Sequence, residues 1–342
     1  MIQKILCISS GSFSFANLVL FKITIPTRTS FAQLRHMLNK CLKMNKILKD
    51  LLIFCIIISF FSCNFNQGFD TDHKLTEAKP WTHLDFKNQT RDFNFAIVSD
   101  NSGGRRPGVF EDAIQKLNRL KPDFVISVGD LIDTKDFKLD SAKFDDELIK
   151  ERWLEFNNIT KQLKVPFFYV AGNNDIRNSK MEAHWIKQFG STYYYFKHKT
   201  ALFIVLNSED QPGSEFGEIS ERQLNWLKTT LTESASASWT FIFLHRPMWL
   251  YENNKDWRKI EELTKNRSLT VFAGHHHTYS KTIANGQNYY GLATTGGASS
   301  LEFKNGQFDH ISWVSVSDSI PQISNILLKG IWGDNPSSVE KK

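Results

Sequence analysis

From residue 93 onward, short apolar runs alternate with longer amphipathic stretches. The apolar run 93–100 closes on Asp100, and the run 124–128 closes on Gly129-Asp130. Runs of this length predict buried strands. Between them, apolar residues recur every three or four positions over 109–120, which predicts a helix with one apolar face. The pattern predicts a βαβ unit, and ligands of such sheets gather at the carboxyl ends of the strands.

The same order of elements repeats further along the chain. Apolar runs that end on polar residues predict strands over 165–171, 202–206, 239–244 and 269–273. Amphipathic stretches predict helices over 145–163, 181–189, 219–231 and 255–265. The segments predicted as strands of a second sheet are 288–294, 310–316 and 321–329. These elements predict one α/β domain, with the domain spanning about 91–333 and a polar tail spanning 334–342.

The N-terminal segment has a different pattern. A basic start at Met44 precedes the apolar run 51–61, which is typical of a secretory signal peptide. The run is shorter than the ~20 apolar residues of a membrane-spanning helix. We interpret 44–62 as this signal and 1–43 as an upstream extension ahead of the true start. A retained anchor helix over 51–61 is the alternative, and both readings place the domain outside the cytoplasm.

The end of this segment, Ser62-Cys63, resembles a bacterial lipoprotein signal. The resemblance implies cleavage before Cys63 and attachment of lipid to its sulfur. The expected location is therefore periplasmic or cell-surface, with membrane anchoring through Cys63. The polar stretch 63–90 is predicted to be a tether.

Charge and cysteine content narrow the expected chemistry. The 342-residue chain has 42 basic and 36 acidic side chains, but residues 1–63 hold eight of the basic and one of the acidic groups. The remaining 34 basic and 35 acidic groups balance, which argues against a nucleic-acid partner. All four cysteines precede residue 64, so the domain has no disulfide or thiolate ligand. We therefore expect oxygen and imidazole ligands.

Small metal-binding side chains stand at five predicted strand ends. They are Asp100, Asp130, Asn173, His245 and the pair His275 and His277. Such donors suit divalent or trivalent first-row ions, and two ions about 3.5–4 Å apart can share a carboxylate and hold a hydroxide for attack on phosphorus. Taken alone, the two aspartates are better explained as caps and His245 as a core histidine. Asn173 is equally well explained as a turn residue, and a surface run is the alternative for the histidines at 275–277. Their joint position favours a metal site.

Five sequence blocks resemble the calcineurin-like metallophosphoesterase superfamily in content and order. They read S-D-N-S-G-G (99–104), G-D-L-I-D (129–133), G-N-N-D (172–175), L-H-R-P (244–247) and G-H-H-H (274–277). The resemblance implies a sandwich of two mixed β-sheets flanked by helices. It also implies hydrolysis of phosphomonoesters or phosphodiesters through a metal-bridging hydroxide, with two ions of Mn, Fe or Zn.

The resemblance assigns a role to each matching position. Asp130 resembles the carboxylate that bridges both ions. Asp100 and His277 match ligands of the first ion. The positions that match ligands of the second ion are Asn173, His245 and His275.

Two positions depart from the family pattern. Ser102 stands where the first block commonly has a histidine, so we expect lower occupancy of the first ion, with water or Ser102 itself as an extra ligand. Asn174 stands where a histidine usually serves the leaving group, and Asp175 resembles the carboxylate that orients it. An amide cannot deliver a proton, and general acid catalysis typically contributes ~10²–10⁴-fold. Catalysis is expected to be slow unless His276 supplies the acid or the leaving group is already good.

Three arginines flank the blocks: Arg105, Arg106 and Arg246. They are candidate substrate ligands, because a guanidinium pairs bidentately with phosphate oxygens; for the first two, solvated surface cations are the alternative. The expected partner is a small phosphoester. Two other functions stay open: a single-metal hydrolase, and a metal-binding relative without turnover that binds a phosphorylated ligand. A surface-tethered structural protein is disfavoured, because no structural role requires this array of ligands.

Overall fold

Two β-sheets and five helices make up the described part of the chain. In this computed structural model the described residues are 69–71, 78–88, 90–134, 146–328 and 332–333. The predicted upstream extension, signal peptide, lipid site and polar tail lie outside these ranges. Within the described ranges, no helix is both long and apolar enough to cross a membrane.

The elements follow one another in a mixed order. The strands are β1 (Asp70–Thr71), β2 (Phe93–Val98), β3 (Phe124–Ser127), β4 (Phe167–Phe168), β5 (Tyr194–His198), β6 (Ala201–Val205), β7 (Trp239–Phe243), β8 (Leu269–Ala273), β9 (Ser280–Ala284), β10 (Gln287–Gly291), β11 (His310–Ser317), β12 (Ile320–Leu327) and β13 (Trp332–Gly333). The helices are α1 (Val109–Leu120), α2 (Asp146–Thr160), α3 (Ser179–Phe189), α4 (Glu221–Glu233) and α5 (Lys255–Thr264). All helices predicted from periodicity are confirmed within a few residues.

Both sheets combine parallel and antiparallel pairs. The first has the order β13-β12-β11-β2-β3-β4, with β2, β3 and β4 parallel and β11 antiparallel to β2. The second has the order β1-β5-β6-β7-β8-β10-β9, with a parallel centre from β6 to β10 and antiparallel edges. The parallel strands of each sheet therefore end on one side, which sets the place of the functional groups.

An aromatic core fills the space between the sheets. Along β2, the side chains of Phe93, Phe95 and Ile97 point into this space, whereas Ala96 and Val98 face the helices. The facing sheet contributes Phe203, Val205, Phe241, Phe243 and Phe272. Helices α1, α2 and α3 cover the outer face of the first sheet, and α4 and α5 cover that of the second. Because β2 has apolar side chains on both faces, the sheet is stable only when both faces are covered.

Two sequence predictions need correction here. The predicted tether 63–90 is partly built into the domain: β1 pairs with β5, and Trp81 is buried in the aromatic core, because this segment carries large apolar side chains. The late strands do not form a sheet of their own. Instead, β10 pairs with β8, while β11 pairs with β2. Apolar pattern identifies strands but carries no information about which strands pair.

The predicted strand 165–171 is shortened to β4. Beyond Phe168 the backbone N–H of Tyr169 donates to the Pro80 carbonyl (2.9 Å), and that of Val170 donates to Ser127 Oγ (2.9 Å). These bonds replace strand pairing, and the chain then continues into the loop at 172–175.

A buried carboxylate fixes the start of β3. Asp123 Oδ2 accepts from the Asn94 N–H (3.1 Å) and Asn88 Nδ2 (3.2 Å), and Oδ1 lies 3.4 Å from His198 Nε2. Burial alone would raise the pKa of Asp123, but these hydrogen bonds, led by that of His198, lower it. The ionised carboxylate therefore stabilises the folded state.

We expect Asp123→Asn to lower the free energy of unfolding at pH 7 by about 1.5–3 kcal/mol, the value of hydrogen bonds to a charged group. The folded pKa lies below the unfolded value of about 3.9, so this contribution is complete above that pH and is lost as the pH falls through the folded pKa. Urea denaturation at neutral and acid pH measures the difference. The exposed ion-pair variant Asp112→Asn is the control, and a difference that persists at acid pH contradicts the assignment.

Candidate metal centre

Three strand ends bring ligand atoms together. Asp100 follows β2, Asp130 follows the neighbouring parallel strand β3, and His245 follows β7. One ligand atom from each lies within 4.8 Å of the others, and all three residues are buried. We call these residues the central triad. The predicted convergence of Asp100, Asp130 and His245 is observed.

Glycines make this close approach possible. A Cβ on Gly172 would lie 2.3 Å from the Asp130 backbone nitrogen, and one on Gly274 would lie 2.3 Å from Asp100 Oδ2. A Cβ on Gly129 would lie 2.9 Å from the Gly172 Cα. The glycine that opens each of these three blocks is thus required by packing.

The backbone at several predicted ligands has a left-handed conformation. Asp130, His275 and His277 have φ angles of 56°, 73° and 54°. This region costs an L-residue roughly 1–2 kcal/mol, and such strain concentrates at functional sites. The surrounding packing holds these side chains in directions that a relaxed backbone would not give.

The orientation of His245 creates a position that fits a cation. Its Nδ1 donates to the Val128 carbonyl (2.9 Å), so Nε2 of the neutral ring presents a lone pair. This Nε2 lies 3.3 Å from Asp130 Oδ1 and 2.9 Å from Asn173 Oδ1. Three acceptor atoms therefore face one another, which requires a positive charge among them.

A proton can fill this position when no metal does. Burial alone would lower the pKa of His245, but the carboxylates of Asp130, Asp100 and Glu209 raise it. A metal ion that binds here must displace that proton. The donor set fits a metal ion. Asn173 Oδ1 and His245 Nε2 lie close enough together to bind the same ion.

His277 and Asp100 form a second such position. His277 Nδ1 donates to the Ala298 carbonyl (2.7 Å), and Nε2 lies 3.3 Å from Asp100 Oδ1. Burial would lower the pKa of His277, but Asp100 raises it to about 9. Burial would likewise raise the pKa of Asp100, but the hydrogen bond from His277 and the charges of both nearby histidines lower it to about 2. A backbone carbonyl thus orients this ring for ligation, as it does for His245.

His275 joins the cluster with a competing partner. Its Nδ1 lies 3.2 Å from His245 Nε2, and its Nε2 accepts from Arg246 Nη1 (3.0 Å). Burial and the charges of His245 and Arg246 lower the pKa of His275 to about 2. To ligate through Nδ1, the neutral ring must move its proton to Nε2, and Arg246 must then turn away.

Of the predicted phosphate-binding arginines, Arg246 lies beside the metal ligands. Its Nε donates to Glu209 Oε1 (2.8 Å), and its Nη1 donates to the Glu215 carbonyl (2.8 Å) as well as to His275. Arg246 and Glu209 form a buried ion pair. This pair fixes the guanidinium on the His275 side of the central triad.

The other two predicted arginines have carboxylate partners in the structure. The Arg105 guanidinium pairs with Glu111 on α1 and Glu155 on α2. Arg106 pairs with Asp309 and donates to the Gly297 carbonyl (2.8 Å). Carboxylates neutralise both guanidinium groups, although Arg105 Nε is buried without a hydrogen-bond partner among the described residues. Phosphate binding by either arginine would require the exchange of a carboxylate partner.

Asn174 positions Asp130. Its Nδ2 donates to Asp130 Oδ2 (2.5 Å), and its backbone N–H donates to Asp130 Oδ1 (2.7 Å). Its Oδ1 accepts from Thr134 Oγ1 (2.6 Å) and Arg177 Nη2 (2.8 Å). The side chain is 5% exposed. Its hydrogen-bonding atoms all have protein partners, so the amide acts on the Asp130 carboxylate.

Asp175 also differs from its predicted role. Its Oδ1 accepts from the backbone N–H groups of Leu131 (2.9 Å) and Ile132 (3.1 Å), and its Oδ2 accepts from that of Gly172 (2.8 Å). Burial and the nearby Asp130 carboxylate raise the pKa of Asp175 to about 8. Asp175 joins the two ligand loops through their backbone, and these bonds do not involve the side chain of residue 174.

The carbonyls of Val128 and Ala298 and the carboxylate of Glu209 were not predicted as parts of the site. Any residue supplies a carbonyl, so the sequence contains no signal for the first two. For Glu209 there was a signal, since it closes the strand run 202–206 in the same way as the ligands close theirs.

The fold and this site together define a metallophosphoesterase, and comparison with known proteins agrees. A family model described as calcineurin-like phosphoesterase matches residues 93–279, more than half of the chain. The protein belongs to this family, as the five blocks predicted. Its membership and donor set indicate divalent metal ions as cofactors.

One curated relative is a probable glycerophosphodiester phosphodiesterase, GpdQ, of Arcobacter nitrofigilis. It is 28% identical over 149 residues, which are 40% of this chain and 46% of the relative. The match thus spans less than half of that relative's length.

Solved structures confirm the predicted sandwich. A dimetal phosphatase from Danio rerio has a TM-score of 0.51 at 17% identity and covers 70% of this chain and 96% of its own. Purple acid phosphatase PPD1 of yellow lupin has a TM-score of 0.53 at 11% identity and covers 71% and 53%. At these identities the similarity concerns the fold.

The central position of Asp130 predicts unequal losses of metal. Asp130→Ala is expected to remove all bound metal, because its carboxylate lies within 4.8 Å of ligand atoms on both sides, those of Asp100 and His245. His245→Ala should remove mainly the metal held on the Asn173 side. Elemental analysis of protein loaded with Mn²⁺ gives the stoichiometry, with Asp112→Ala as a carboxylate control. Equal losses in both variants contradict a bridging Asp130.

Ser102 predicts a gain of metal. Its Oγ is buried without a hydrogen-bond partner among the described residues, and its N–H donates to the Asp130 carbonyl (3.1 Å). Ser102→His is expected to raise Mn²⁺ affinity on the His277 side by adding an imidazole ligand, whereas Ser102→Ala should leave it equal or lower. Titration followed by Mn²⁺ paramagnetic resonance measures free ion. No gain in Ser102→His shows that this position lies outside ligation range.

Proposed function

We propose that this protein is a dinuclear-metal phosphoesterase that hydrolyses small phosphomonoesters or phosphodiesters. The observation that carries the proposal is the central triad, in which two buried carboxylates and the lone pair of His245 face one another within 4.8 Å. Burial of two carboxylates so close together is costly unless cations neutralise them. The relative described as a probable phosphodiesterase supports the same chemistry.

The residues divide the work by position. Metal ions, when bound, polarise the phosphoester and supply a hydroxide nucleophile at neutral pH. Asp130 holds the centre of the site, and Asn174 holds Asp130. Asp100 and His277 form one side, and Asn173, His245 and His275 form the other. Arg246, once released from His275, can pair with a phosphate oxygen.

The Asn174 contacts predict a steep dependence on the leaving group. Because its amide is bound to Asp130, no proton reaches the departing oxygen from this position. We expect metal-loaded protein to hydrolyse p-nitrophenyl phosphate and its diester far faster than alkyl esters of the same charge. A panel of aryl esters gives the slope of log kcat against leaving-group pKa, with chelated protein and Asp130→Asn as controls. A flat slope shows that another group, such as His276, already donates the proton.

A binding module without turnover is the second candidate. It is favoured by Ser102 and Asn174, which stand where the family commonly has histidines, and by the engagement of Asn174 with Asp130. In that case the metal-loaded protein binds phosphate or a phosphoester but releases no product from any ester of the panel. Binding of phosphate or a phosphoester measured by calorimetry, together with no product from any ester, identifies this function.

We further propose that the domain lies outside the cytoplasm, anchored by lipid on Cys63. The sequence Ser62-Cys63 after the apolar run supports this proposal. The expected intact mass of membrane-extracted protein is that of a chain beginning at Cys63 plus lipid. Cys63→Ser should release the protein from membranes, whereas Cys55→Ser should not. An unprocessed or unlipidated chain contradicts the proposal.

A further inference from the structure

A row of aromatic rings leads away from the metal ligands. The ring centroids of His275 and His276 are 5.3 Å apart, those of His276 and Tyr251 are 5.8 Å apart, and those of Tyr251 and Phe216 are 5.4 Å apart. We call His276, Tyr251 and Phe216 the aromatic row. Its inner ring, His276, contacts the predicted ligand His275, and its outer ring, Phe216, lies two ring contacts beyond His276.

Hydrogen bonds hold the row in place. Tyr251 Oη lies 3.1 Å from His276 Nε2, and Asn254 Nδ2 donates to the Phe216 carbonyl (3.2 Å). The residue before Phe216, Glu215, accepts through its carbonyl from Arg246 Nη1 (2.8 Å). The same guanidinium nitrogen contacts His275, so the row and the metal ligands share one anchor.

The outer end of the row is open to solvent. Phe216 is 53% exposed and is the most exposed phenylalanine among the described residues. Leu250, next to Tyr251, is 44% exposed. Both side chains are therefore available for contact with a ligand. A ring fixed by hydrogen bonds at its backbone is suited to stack on another planar ring.

We propose that the aromatic row binds the base of a nucleoside phosphoester whose phosphate lies at the central triad. This inference rests on the proposed phosphoesterase function and narrows its substrate. A polyol leaving group has no planar ring to stack on the row, whereas every base has one. The His275 ring lies between the central triad and the aromatic row. A substrate with its phosphate at the triad therefore reaches the row only if a spacer separates the phosphate from the ring that stacks there. A ribose supplies that spacer, and a ring bonded directly to the ester oxygen does not.

The test compares adenosine 5′-monophosphate with ribose 5-phosphate in metal-loaded protein. Both release the same type of primary alkoxide, so leaving-group chemistry cancels. We expect KM to be about tenfold lower for the nucleotide, in the range of base stacking on an aromatic side chain, with similar kcat, because the contact is equal in the ground and transition states. Phe216→Ala should remove most of this preference, and Phe216→Trp should keep it. Ile186→Ala, a 52% exposed residue on α3, is the control.

The outcomes separate this inference from the proposed function. Equal KM values for the two substrates overturn the aromatic row and leave the phosphoesterase standing. If neither alkyl ester is hydrolysed but p-nitrophenyl phosphate is, inhibition of that reaction by adenosine against ribose tests the row, and equal inhibition overturns it. If p-nitrophenyl phosphate is not hydrolysed either, the phosphoesterase fails, and calorimetry of adenosine against ribose tests the row, which equal binding overturns. If Phe216→Ala raises KM for phenyl phosphate as much as it raises KM for the nucleotide, the row accepts any aryl ester and the nucleoside assignment is wrong.

Discussion

The site depends on a positive charge between buried acceptors. Asp100 and Asp130 are almost completely removed from solvent, and their oxygens face imidazole lone pairs. Such an arrangement is unfavourable unless protons or metal ions occupy the space between the groups. The raised pKa values of His245 and His277 express this need. The carbonyls that fix both rings leave one nitrogen of each directed into the cluster.

Strand order explains what the sequence could predict. A βαβ unit makes β2 and β3 neighbours, so the side chains that follow them, Asp100 and Asp130, had to meet. Apolar runs likewise located β7, and His245 at its end. These predictions needed only local pattern and the geometry of parallel strands. The ligand blocks added the family, because five motifs occur in one order.

Side-chain partners explain what the sequence could not predict. Arg105 and Arg106 follow the first ligand block, yet Glu111, Glu155 and Asp309 bind them from other elements. Asn174 occupies a histidine position, yet its amide is bound to Asp130. Each choice depends on which carboxylate lies nearest in three dimensions, and adjacency along the chain does not determine it. For the same reason, the sequence did not predict that Trp81 packs in the core.

The glycines at the ligand blocks divide the site into a part that tolerates change and a part that does not. Gly129, Gly172 and Gly274 touch the ligands so closely that even one added methyl group would displace an oxygen or a ring. Near Phe216 the constraint ends within a few residues: a Cβ on Gly217 would lie 3.1 Å from the Ser208 carbonyl oxygen, whereas one on Gly213 meets nothing within 4 Å. Side chains can therefore be added at Gly213 without moving the ligands, whereas none can be added at the three glycines of the ligand blocks.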